Sequence, residues 1–221
     1  MVTEETVSME CDAAPLPVVV ATGNPGKARE FGRLLGASFD VRVKPDGASE
    51  AEETGTTFAE NARLKALSVF AALGGTLAVL ADDSGLEVDC LGGSPGIRSA
   101  RFAGEEATDA ENVERLLAEM AGSSERHARF VCHLALLLPR KNCSDSSGGL
   151  LEAEGSLEGT IESVPRGAEG FGYDPVFRPA GWDKTLSEVS PGEKDAASHR
   201  ARAVKVLLRL MEEKGMLSCG A

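Results

Sequence analysis

The chain has 221 residues, 42% hydrophobic and 26% charged, a balance that can bury one sizeable core as one domain or two closely packed lobes. No apolar run reaches the roughly 20 residues that cross a bilayer. A formal charge of -12 excludes the broad basic face on which DNA- and RNA-binding proteins rely. A free nucleotide stays within reach, because a small polyanion needs only a few local cations, backbone N–H groups and a divalent metal.

Residues 1–17 carry Glu4, Glu5, Glu10 and Asp12 and lack the basic start and apolar centre of a secretory signal, so they read as a frayed acidic tail on a cytoplasmic protein. The five cysteines (Cys11, Cys90, Cys132, Cys143, Cys219) are scattered without a C-x-x-C pair, which signals neither a zinc site nor a disulfide framework. Strands and helices alternate from there on, the mark of an α/β protein. A first strand is predicted over 18–21, a helix over 28–35 stopped by Gly36, and a second strand over 39–43. Apolar residues at three- and four-residue steps predict a helix over 57–73, and the wholly apolar stretch 77–81 predicts a strand covered on both faces. A helix over 109–120 and a buried strand over 128–138 follow; His133 within that strand is read as a core histidine without a role. The Ser/Gly-rich segment 140–149 reads as a flexible tip or insertion, 150–161 as a returning strand or pair of strands, and 198–213 as the closing helix. Residues 214–221 form a tail, leaving 18–213 as the domain.

Five stretches carry chemistry. In "ATGNPGK" a strand runs into Thr22, Gly23, Asn24, Pro25, Gly26 and Lys27 before a helix, which places backbone N–H groups, the positive helix end and a mobile cation together. That is the form of an anion site, with glycines free to take φ > 0, although the spacing is not that of a Walker loop. In "LADDSG" the adjacent carboxylates Asp82 and Asp83 end an apolar strand; one could bind a divalent cation while the other orients a water. Neighbouring strand residues point to opposite faces, so the two are not expected to share one role. In "AEETGTTFAENARLKA" either Glu52 or Glu53 could add a metal oxygen, and Asn61 and Lys65 share a helix face. In "EGFGYDPVF" two glycines flank Phe171, freeing the backbone to bring a ring against a flat ligand. In "EKDAASHRARAVK" Ser198 caps the last helix, placing His199 and Arg200 in its first turn near a loop carrying Lys194; cations there oppose the helix dipole, a cost that suggests a ligand partner.

Taken together and in order, "ATGNPGK", "EETG-TTFAENA-LKA", "ADDSGLEVDCLGGSPGIRSARFAG", "ATD-EN", "GFGYDPVF" and "EK-A-SHR-RA" resemble the HAM1, or inosine triphosphate pyrophosphatase, family and within it the bacterial-type branch acting on abnormal purine triphosphates. The likeness runs from about Val18 to Met211. It implies a mixed α/β fold with an elongated central sheet, flanking helices and two lobes around a nucleotide cleft, assembled as a homodimer. It implies Mg²⁺-dependent hydrolysis of ITP, dITP and XTP to monophosphate and pyrophosphate. By the same resemblance Thr22, Gly23, Asn24, Pro25, Gly26 and Lys27 cradle the triphosphate with help from Lys65. Asp83 is the general base and shares the metal with Glu52 and Asp82, and Ser84 touches substrate. Phe171, Gly172, Tyr173 and Asp174 line the purine pocket, and Lys194, His199 and Arg200 read the oxo edge of the base. A Maf-like pyrophosphatase for other modified nucleotides and a sensor that binds without hydrolysis are the competing readings.

Overall fold

Val18, Val19 and Val20 are all buried, as befits a β-branched strand covered on both faces. They lie in β1 (Leu16–Val20), which runs parallel to β2 (Phe39–Val43) on one side and to β3 (Ala78–Val88) on the other. The long strands β4 (His127–Leu138) and β5 (Gly149–Ile161) and the short β6 (Phe177–Pro179) continue antiparallel, giving one six-stranded mixed sheet in the order β2-β1-β3-β4-β5-β6. This computed structural model describes residues 14–45, 47, 51–139 and 149–217. The acidic tail before residue 14, most of the Ser/Gly segment (140–148), the end of the chain (218–221), and with them Cys11, Cys143 and Cys219, lie outside the described residues.

Among the described residues five α-helices flank the sheet, and each start is set by a side-chain cap. Asn24 caps α1 (Pro25–Leu35), Thr57 caps α2 (Phe58–Ala72), and Thr108 forms a reciprocal box with Glu111 at α3 (Asp109–Glu119). Ser190 does the same with Glu193 at α4 (Pro191–Ala197), and Ser198 caps α5 (His199–Glu213). The alternation of β3 divides them. Leu80 and its neighbours on one face meet Phe31 and Leu35 of α1 and Val204, Leu207 and Met211 of α5; Val79 and Ala81 on the other face meet Ala62, Ala66 and Val69 of α2. Further along β3, Leu86 and Val88 return to the first face and join Val113 and Leu116 of α3 in a second core with Tyr173 and Phe177. Two hydrophobic cores thus share one face of the sheet, with Asp82 and Ser84 between them along β3.

Several expectations change. α1 begins at Pro25 rather than residue 28, because proline fits the first helical position and Asn24 supplies the cap. β3 does not end at residue 81: it continues through Asp82, Asp83, Ser84 and Gly85 to Val88, held by ladder pairing to β4. Lys194 lies on the short helix α4, not on a loop, since the Ser190 box and Pro191 start a helix there. β5 is one strand, and β6 was not anticipated. His133 is half-buried and pairs with the cross-strand Glu154 at 2.9 Å, so it is a sheet-surface residue rather than a core one. Residues 214–217 do not hang free: Met216 and Leu217 fold back against the first core.

Candidate active site

β1 stops at Val20, opposite Leu80, and the chain turns away into the loop before α1. β3 runs on, so from Asp82 its edge on that side has no strand partner, and a cavity of about 190 Å³ opens beyond the carboxyl end of β1. That is the position at which parallel sheets hold ligands. Thr22, Gly23, Lys27, Lys44, Glu53, Lys65 and Asp82 line it. A second cavity of about 260 Å³ adjoins it at Lys27 and is lined by Asn24, Ser84, Phe130, Phe171, Gly172, Tyr173, Asp174, His199 and Arg200.

The two aspartates face opposite ways, as strand alternation requires. Asp82 points toward α1 and α5, where Lys27 Nζ lies 3.1 Å from Oδ2, Ser84 Oγ donates at 2.9 Å and Arg200 Nε stands 3.6 Å away. Burial would raise the Asp82 carboxyl, but the charges of Lys27, Arg200 and Lys65 outweigh it and hold the group well below the usual carboxylate range. Asp83 points toward α2, where Lys65 Nζ donates to Oδ1 at 2.7 Å and Asn61 Nδ2 to Oδ2 at 3.3 Å. Here burial prevails, aided by the Glu53 charge, and the Asp83 carboxyl is raised despite Lys65 and Asn61. Asn61 and Lys65 are four apart on α2 and do share the face expected of them.

The expected metal set is not brought together. Asp82 and Asp83 diverge and Glu52 is exposed, while Glu53 is the residue that meets Lys65, at 2.7 Å, and Arg101, at 2.8 Å. Among the described residues no group of three or more His, Cys, Asp or Glu side chains forms a ready cluster. Glu53 was read only as an alternative to Glu52, and its partner Arg101 went unread because their separation along the chain hides the pairing.

At the turn, Asn24 Oδ1 accepts from the amides of Gly26 (2.8 Å) and Lys27 (3.2 Å), and Thr22 Oγ1 accepts from the Asn24 amide. The helix-start amides expected to be open are therefore capped from within, and the Lys27 ammonium is the group that faces the cavity. Neither Gly23 nor Gly26 takes a positive φ.

The other cavity is held by α5. Gly155 lets this helix lie directly on β5, since a Cβ there would collide with the His199 carbonyl and the Ala203 amide. Arg200, 4% exposed, sits between Asp82 and Glu30, with Nη1 3.3 Å from Glu30 Oε2. Its burial is offset by those two carboxylates, which raise its pKa. His199 stacks on Phe130, centroids 4.9 Å apart; burial first, and then the Arg200 and Lys194 charges, hold its imidazole well below the ordinary value. His199 Nδ1, Arg200 Nε and Glu30 Oε1 are buried without a hydrogen-bond partner, the condition of a site built for a further polar group. Phe171, 42% exposed, carries Lys194 Nζ 4.4 Å and the Arg200 guanidinium 5.3 Å from its ring centre. Asp174 accepts from both the Phe171 amide and Lys194, and the buried Tyr173 donates its hydroxyl to the Ser99 carbonyl at 2.8 Å. Glu30 was not read from the sequence, although it falls one turn after Lys27 on α1.

A family model described as the Ham1 family matches residues 18–210. A dITP/XTP pyrophosphatase of Bacillus licheniformis is 47% identical over 201 residues, covering 89% of this chain and 98% of that protein. A dITP/XTP pyrophosphatase of Bacillus subtilis is 44% identical over 199 residues, covering 88% and 96%. Among solved structures, the Ham1 protein of Staphylococcus aureus superposes with a TM-score of 0.78 at 37% identity, covering 89% of this chain and 98% of that one. A HAM1 protein from Coxiella burnetii gives 0.77 at 38% identity, covering 90% and 99%.

Proposed function

The chain belongs to the Ham1 family, and on that premise we propose that it is a pyrophosphatase of the abnormal purine triphosphates dITP, ITP and XTP, releasing pyrophosphate and leaving the monophosphate. The observation that carries this reading is the pair of adjoining cavities: one lined by ammonium groups and carboxylates, the other by an aromatic ring, a buried guanidinium and a neutral imidazole, meeting at Lys27. The first suits a triphosphate and the second a flat base with an acceptor edge.

The chemistry proposed is in-line attack of water on the α-phosphorus, with pyrophosphate leaving. Asp83 takes the proton: burial raises its affinity for one above that of an ordinary carboxylate, while the Lys65 ammonium favours the ionised form that accepts it. Lys27 and Lys65 face the charge that develops on phosphate oxygens, the main work a protein does in such transfers. Arg200 and Lys194 offer donors that suit a 6-oxo group and leave the amino group of adenine unpaired.

Magnesium fits the donor set, since Asp83 and Glu53 are hard oxygen donors that converge on one cation already, the Lys65 ammonium at 2.7 Å from each. Asp83 with Glu53 or Glu52 would hold it, and bound it would neutralise phosphate charge and lower the pKa of a water. Assembly as a homodimer and residence in the cytoplasm belong to the same proposal; no helix among the described residues is long and apolar enough to cross a membrane.

The test is pyrophosphate release from dITP, ITP, XTP, GTP, ATP and pyrimidine triphosphates, with Mg²⁺ and with EDTA. Release from dITP and XTP, suppressed by EDTA and weak with ATP, is expected. Preference for methylated or pyrimidine nucleotides would favour a Maf-like activity, and binding of ITP without release a sensor.

A further inference from the structure

Phe171 needs a fixed position to serve a base, yet it stands on an exposed turn between two glycines with positive φ, Gly170 at 83° and Gly172 at 60°. Within that turn Asp174 Oδ2 accepts from the Phe171 amide. The turn meets the rest of the molecule at Asp174, which accepts from Lys194 of α4, at the Tyr173 hydroxyl, and at Asp109 at the start of α3, whose Oδ2 accepts from the Gly172 amide at 2.7 Å. Asp109 is not occupied with capping its own helix, because Thr108 and Glu111 close the box around it; Glu111 Oε2 accepts from the Thr108 amide at 2.7 Å. A carboxylate in the first helical turn is also where the dipole favours its charge. One turn on, the buried Asn112 accepts from the Ala103 amide at 2.8 Å and donates to the Ala100 carbonyl at 3.1 Å, so the base of α3 is anchored to the Ser99–Ala103 stretch that also receives the Tyr173 hydroxyl. Ser99 in turn accepts from the Leu86 amide on β3, two residues beyond Ser84.

We propose that Asp109 is a positioning residue for the base: by holding the Gly172 amide it fixes the Phe171 ring over the cavity, using α3 as a frame tied to the strand that carries the aspartates. The proposal rests on the reading of that cavity as the purine pocket. Asp109 itself borders the base cavity and does not line the cavity of Lys27, Lys65 and Glu53 that suits the phosphates, so it acts on nucleotide binding and not on turnover.

The experiment compares Asp109→Ala with Asp109→Asn, which keeps an acceptor oxygen. Asp109→Ala is expected to raise KM for dITP about tenfold with kcat within about twofold, the cost of a charge-assisted bond lost far from the scissile phosphate. Asp109→Asn recovers most of that loss, and inorganic tripolyphosphate, which has no base, inhibits all three proteins equally. Hydrogen exchange at the Gly172 amide, read by NMR, accelerates in Asp109→Ala and is restored in Asp109→Asn. An unchanged KM, a fall confined to kcat, or an Asp109→Asn protein no better than Asp109→Ala would overturn the proposal. Wild-type protein that treats dITP and dATP alike would sink the purine-pocket reading, and the exchange rate would then still decide whether Asp109 holds the turn.

Discussion

The phosphate end and the base end of the cleft use the same kinds of charge in opposite settings. At the phosphate end Lys27 and Lys65 are each about a fifth exposed; Lys65 holds Glu53, which solvent reaches in part, and Lys27 holds the buried Asp82 that the two ends share. At the base end Arg200 and His199 are sealed, the first between two buried carboxylates and the second against an aromatic ring. Open pairs can exchange partners when a polyanion arrives, whereas sealed ones are arranged beforehand and carry part of the fold. Changes at the phosphate end should therefore cost rate, and changes at the base end should cost stability as well as selectivity.

The largest effect that sharpens this contrast is at Asp83. Asp83→Asn should lower kcat on dITP by on the order of 10²- to 10⁴-fold, the share of a general base, with the urea midpoint of unfolding little moved. Normal turnover in a folded variant would remove Asp83 from the mechanism. Next comes Arg200→Ala, which leaves Asp82 and Glu30 buried without their shared guanidinium and should destabilise the protein by about 3–5 kcal/mol in urea titration. The fraction that remains folded should also lose its preference for dITP over dATP. A stable Arg200→Ala protein with full preference would break the contrast between the two ends. The smallest effect is a pH dependence. His199 binds a proton less readily when folded than the ordinary value of about 6.5, so below that pH the unfolded chain takes up a proton that the native state refuses. Stability should fall as pH drops from about 6.5 toward the folded-state value, by up to about 1.4 kcal/mol per pH unit, and His199→Gln should flatten the slope between pH 6.5 and 5.5.

The opposed faces of Asp82 and Asp83, the helix carrying Asn61 and Lys65 and the capped start of α5 were legible because each depends on residues within a few positions of one another; of the turn before α1 only the strand-to-helix junction was, since its amides are capped by Asn24. Less legible was the length of β3. Asp, Ser and Gly are poor strand formers, and only the ladder to β4 carries the strand through them. Local pattern could not choose between Glu52 and Glu53 either, since the choice depends on which carboxylate reaches Lys65 and Arg101 across the fold.

The sequence by itself determined the fold class, the order of the longer elements and the six ordered motifs that place the chain in its family, because hydrophobic period, caps and turn residues act locally. Tertiary structure alone decided which charges meet. Glu30 with Arg200, Glu53 with Arg101 and Asp109 with Gly172 pair across 170, 48 and 63 positions. Burial raises both neighbouring carboxylates, and the charges each one meets then separate them, lowering Asp82 and leaving Asp83 raised, since those charges depend on which helix its face of the sheet receives.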